Sequence, residues 1–111
     1  MSEEDIERRM RELDLQATEF ANAAALRFNL EHAKKSIIAI EMKAAEKLGI
    51  TSAVKQEREA YASVTYKQWI DGTAEAVRNH ERLRMEWEVT KLRFERWRTD
   101  QATRRAEMTY R

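Results

Sequence analysis

The sequence predicts an all-α protein folded as an elongated, coiled-coil-like helical hairpin. Three observations predict it. The 111 residues contain no Pro, no Cys and only two Gly, where average usage would place about five Pro and seven or eight Gly. Apolar residues recur at alternating spacings of three and four near both ends of the chain, the signature of a helix seam. Charged residues make up 37% and apolar residues 42%, enough to cover one face of a helix with charge and bury the other. The shortage of turn formers argues against a turn-rich β fold. The missing Cys excludes a disulfide scaffold and a thiolate metal site. No segment approaches the ~18 uninterrupted apolar residues that suggest a membrane span. The start, Ser2-Glu3-Glu4-Asp5, is acidic, unlike a signal or transit peptide. The expectation is one soluble, cytoplasmic helical domain over 1–111.

The first helix is expected over about 2–48. Ser2 and Asp5 form a capping-box-like start, and Glu3, Glu4 and Asp5 place negative charge where the helix dipole favours it. Ile6, Met10, Leu13, Ala17, Phe20 and Ala24 form a seam spaced four and three. A second seam, Leu26, Leu30, Ala33, Ile37, Ile40 and Ala44, runs out of phase with the first. Its buried stripe would rotate near Ala23-Ala24-Ala25, or the helix would bend between Asn22 and Asn29. A turn follows over 49–52. Gly49 suits the left-handed position after a helix, Ile50 supplies the accompanying apolar contact, and Lys43 and Lys47 favour a helix C-terminus. Thr51 or Ser52 can cap a short helix over about 53–62. Ser63 marks a break. A long helix is then expected over about 64–109, with Tyr66, Trp69, Thr73, Ala76, His80, Leu83, Trp87, Thr90, Phe94 and Trp97 as its seam. Gly72 lies inside it, either tolerated at a cost of about 1 kcal/mol against Ala or admitting another backbone closely.

A helix over 2–48 would be about 70 Å long, against roughly 35 Å for a compact domain of this size. That mismatch is the reason to expect a hairpin. The last helix also has a second apolar stripe, Met85, Val89 and Leu92, opposite Trp87 and Phe94. Two apolar faces call for two partners, the first helix and a second copy of the chain, giving a helical-bundle homodimer. The alternative is a folded-back three-helix monomer with breaks at Ser63 and Gly72 or near Asn22.

Catalytic patterns are missing. The residues three before His32 and His80 are Asn29 and Val77, so the Glu-x-x-His pairs of di-iron bundles are absent. Glu81, Glu88 and Glu95 recur every seven residues, as on a solvated coiled-coil flank. There is no Gly-rich phosphate loop and no nucleophile elbow. The expectation is a non-enzymatic protein with no metal and no cofactor.

The C-terminal third is basic. Residues 78–111 carry ten Lys/Arg and six Asp/Glu, whereas 1–77 carry eleven and fourteen. Nine of the ten are Arg, which binds phosphate bidentately and stacks on bases. With Trp97 and Tyr110 interleaved, Arg93, Arg96, Arg98, Arg104 and Arg105 could form a single-strand binding platform. The competing reading is a solvated face with helical ion pairs such as Arg82/Glu86 and Arg84/Glu88. Trp97 near the chain end could also serve protein docking.

Two stretches, Gln56-Glu57-Arg58-Glu59-Ala60-Tyr61-Ala62-Ser63 with Tyr66, and Glu95-Arg96-Trp97-Arg98-Thr99 followed by Gln101-Ala102 and Arg104-Arg105-Ala106-Glu107-Met108, carry a resemblance. Together they resemble small all-helical accessory proteins of tailed-bacteriophage and prophage recombination and replication modules. Such proteins often carry Pro near the Val64 position, which this chain lacks. The resemblance covers about the last half of the chain. It implies an accessory role beside single-strand annealing proteins, exonucleases or single-strand binding proteins, contacting single-stranded DNA or a recombination protein. The alternative is a structural or adaptor coiled coil: a virion component, a chaperone or an inhibitor of a host protein.

Overall fold

The computed structural model describes residues 2–109. Among them there are four helices and no strand: α1 (Glu3–Glu31), α2 (Lys34–Lys47), α3 (Ala53–Tyr61) and α4 (Val64–Thr109). The all-α class follows. The chain divides into two compact units. The continuous unit is Ala21–His80, and the split unit joins Met1–Phe20 to Glu81–Arg111. Both long helices contribute to both units.

In the continuous unit the end of α1, all of α2 and α3, and the start of α4 come together. The residues that vanish from solvent there are all alanines: Ala23, Ala45, Ala60 and Ala76. α3 packs on α2. The turn between them has two defining hydrogen bonds, Gly49 N–H to Glu46 C=O at 3.0 Å and Ile50 N–H to Ala45 C=O at 3.1 Å. This is the Schellman arrangement, and Gly49 takes its left-handed position at φ 99°. Ser52 then caps α3 by accepting from Lys55 N–H, and the Gln56 amide donates to Ile50 C=O at 2.7 Å. Ser63 separates α3 from α4. Its hydroxyl donates to Ala60 C=O at 2.7 Å and accepts from Tyr66 N–H at 3.1 Å, ending one helix and capping the next.

The expected single helix over 2–48 is two helices, broken at His32-Ala33. Neither Gly nor Pro marks the break, and Ala33 stays in the right-handed region at φ −87°, ψ −8°. Instead the Trp69 indole takes the acceptor that a continuing helix would use, while Phe28 C=O keeps its bond from His32 N–H at 3.1 Å. The His32 ring lies 2.8 Å from Phe28 C=O. Leu30 C=O accepts from Ala33 N–H at 3.2 Å and from the Trp69 indole at 2.8 Å. A side chain inserted into the hydrogen-bond ladder is a sufficient cause of a helix break.

The break also corrects the second seam. Of its six positions Leu30, Ala33 and Ile37 are half-buried, while Leu26 is 52% exposed. α2 turns Ile37, Ile38, Glu41, Met42 and Ala45 inward and leaves Ile40 and Ala44 exposed. Gly72 neither interrupts α4 nor admits a close neighbour, since a Cβ built on it meets nothing within 4 Å.

In the split unit only Leu83 is buried among the described residues. Leu13, Gln16, Ala17 and Phe20 of α1 are half-buried, as are Trp87 and Thr90 of α4. The Thr90 hydroxyl lies 3.0 Å from both the Gln16 side-chain oxygen and Glu86 C=O. One hydroxyl has one proton, so Gln16 satisfies the geometry best with its amide turned to donate to Thr90 while Thr90 donates to Glu86. At the start of α1, Asp5 N–H donates to the Ser2 hydroxyl at 3.1 Å and Ser2 N–H lies 3.4 Å from the Asp5 carboxylate, the reciprocal capping box with Asp in the acidic position.

Candidate nucleic-acid interface

α4 changes character along its length. From Glu75 to Lys91 its charges are satisfied on the helix itself. Arg78 pairs with Glu75 at 2.6 Å, Arg84 with Glu81 at 2.7 Å, Arg82 with Glu86 at 2.8 Å and Lys91 with Glu88 at 3.1 Å. The ion-paired reading of this stretch is therefore realised, although Arg84 takes Glu81 rather than Glu88. Such exposed pairs contribute only a few tenths of a kcal/mol each.

Beyond Lys91 the pattern stops. Among the described residues, Arg93, Arg96, Arg98, Arg104 and Arg105 make no ion pair; the Arg105 guanidinium only reaches Gln101 C=O at 3.5 Å. Residues 91–109 hold six cations against three carboxylates. All but Gln101 are exposed.

Helical phase sorts these arginines. At 3.6 residues per turn, Phe94, Trp97 and Gln101 continue the seam of Leu83, Trp87 and Thr90. Arg93 and Arg104 flank that seam on one side, and Arg98 and Arg105 flank it on the other. Arg96 lies on the opposite face, with Met85, Val89 and Leu92. Five of the six expected binding residues (the four flanking arginines and Trp97) therefore come together, and Arg96 does not.

The seam itself opens to solvent here. Trp97 is 41% and Phe94 46% exposed, so the seam expected from Tyr66 to Trp97 is covered only through Thr90. The two rings stack at a centroid distance of 5.9 Å and an interplanar angle of 27°. Trp97, Arg98, Gln101 and Arg105 border a shallow open depression. Periodicity alone does not mark Phe94 as a surface residue, because its seam position matches that of half-buried Trp87. Its signal is its place in the last turns of the pattern, with Arg93 immediately before it and Arg on either side of Trp97. Tyr110 and Arg111 lie outside the described residues.

The histidines serve packing and hydrogen bonding. His32 stacks on Phe28 at 4.1 Å. The Arg27 guanidinium lies 3.1 Å from His80 Nδ1 and 2.7 Å from the Glu31 carboxylate. Among the described residues no group of three or more His, Cys, Asp or Glu side chains could hold a metal ion, and no helix is long and apolar enough to cross a membrane.

No protein-family model matches the chain, and neither a curated protein nor a solved structure matches it.

Proposed function

We propose that this chain is a non-enzymatic accessory protein that binds single-stranded DNA through the last third of α4, in a phage-type recombination or replication setting in the host cytoplasm. One observation carries the binding reading: arginines without ion pairs flank an exposed, stacked Phe94–Trp97 pair on both sides. Guanidinium groups neutralise phosphates, and an exposed ring offers a stacking surface that any base can use. The setting is suggested by the resemblance of the segments around 56–66 and 95–108.

A gel-shift titration with single-stranded and duplex oligonucleotides tests the binding. Single-strand binding is expected at low salt and weakens as salt rises, with a slope of about −0.7 per phosphate contact. Removing Arg93 and Arg104 together, or Arg98 and Arg105 together, should flatten that slope, and Trp97→Ala should cost about 1–3 kcal/mol of stacking. Arg84→Ala, which removes an already paired guanidinium, should leave binding unchanged. No binding even at low salt removes this reading, because phosphate-driven association is strongest there.

A second reading, a structural or adaptor coiled coil that self-associates, is favoured by a different observation. Met85, Val89 and Leu92 form an apolar stripe on α4 and are 56%, 43% and 64% exposed. The two readings are compatible in one molecule, since the stripe and the aromatic seam occupy opposite faces of the helix.

A further inference from the structure

The exposed stripe on α4 does not end at its apolar residues. Taking Met85 as the reference, Val89 and Leu92 lie within about 40° of it around the helix, and so do Glu81 and Arg96. One face therefore reads Glu81, Met85, Val89, Leu92, Arg96 along the axis. Its apolar centre is bounded by a carboxylate at one end and a guanidinium at the other.

That order is complementary to itself only when reversed. We infer that two copies of α4 pair antiparallel through this face, about a two-fold axis between Glu88 and Val89. Met85 of one copy then meets Leu92 of the other, and the two Val89 side chains meet near the axis. Glu81 meets Arg96 across the interface twice, closing both ends of the apolar strip. A parallel pairing in register would instead set Glu81 against Glu81 and Arg96 against Arg96, which like-charge repulsion disfavours. The Glu81 carboxylate also holds Arg84 within its own helix, and the cross-interface pair adds to the contacts it makes there.

The pairing deepens the self-association reading and assigns Arg96 a role apart from the other arginines. Arg96 becomes an interface residue, while Arg93, Arg98, Arg104 and Arg105 stay beside the aromatic seam. The two Arg-and-aromatic segments of the dimer would then be centred about 30 Å apart along the paired helices.

Sedimentation of the full chain over a concentration series, combined with charge reversal, tests the pairing. The wild type should sediment as a dimer. Glu81→Arg and Arg96→Glu should each abolish the dimer, and the two together should restore it. Restoration cannot come from a mere loss of folding. Because the chain has no Cys, single cysteines report the strand sense cleanly. Under mild oxidation Met85→Cys alone and Leu92→Cys alone should stay uncross-linked, and an equimolar mixture of the two should form a disulfide dimer. A dimer in which Met85→Cys cross-links to itself, or in which the double charge reversal fails to restore assembly, overturns the antiparallel register while leaving self-association standing. A wild-type chain that remains monomeric throughout overturns both.

Discussion

The continuous unit and the split unit are built from the same two long helices, yet they exclude water differently. Around residues 21–80 four alanines are buried, and α3 packs on α2. In the split unit Leu83 is the one buried residue among those described, and α4 beyond Lys91 is exposed apart from Gln101. The split unit rests on one large side chain and a line of half-buried ones. The difference lies along one helix: the packed part of α4 uses its seam for cohesion, and the unpacked part leaves the same seam open to solvent.

The largest effect should come from the split unit. Leu83→Ala should cost about 3 kcal/mol, the usual loss when a buried Leu is truncated and leaves a cavity. Amide hydrogen exchange should show where the loss falls. Faster exchange confined to the split unit means the two units are energetically separable. Uniform acceleration through Ala21–His80 would show that the two units unfold as one.

In the continuous unit truncation has little to remove, so the reverse change is the informative one. Ala60 is fully buried at 0% exposure. Ala60→Leu should cost about 2 kcal/mol through overpacking, read as a lower thermal or urea midpoint. A neutral result would mean that the alanine core is loosely packed.

The two glycines should respond with opposite signs. Gly49 holds a positive φ of 99°, so Gly49→Ala should destabilise the chain by about 1 kcal/mol. Gly72 is helical and faces open space. Gly72→Ala should therefore stabilise it by up to about 1 kcal/mol. Matched urea titrations of both variants check this, and a destabilising Gly72→Ala would reveal a close approach to that backbone.

Much of this arrangement is legible in the residues. Ser2 and Asp5, Gly49 and Ile50, Ser52, and Ser63 each perform the capping role that their chemistry suggests, because a cap depends on neighbours within a few positions. The seam from Tyr66 to Thr90 is likewise readable, since helical periodicity is a local property. The break at His32-Ala33 is not. It depends on Trp69 donating to Leu30 C=O from 39 residues away in sequence, and no local signal encodes such a partner. Nor does periodicity show that Leu26, Ile40 and Ala44 stay exposed while Leu30, Ala33 and Ile37 of the same expected seam turn inward. Within the candidate site, the arginines and Trp97 are visible as composition. Their lack of ion pairs, and the exposure of Phe94, are not.

The sequence by itself determined the helical class, the local caps, the left-handed turn at Gly49 and the line of residues along each face of α4. All of these follow from backbone geometry and contacts a turn or two apart. Tertiary structure decided where α1 ends, which apolar faces α2 turns inward, and where along α4 the seam passes from covered to open. Those depend on whether another helix lies alongside, and a helical repeat looks the same in sequence whether its face meets a neighbour or water.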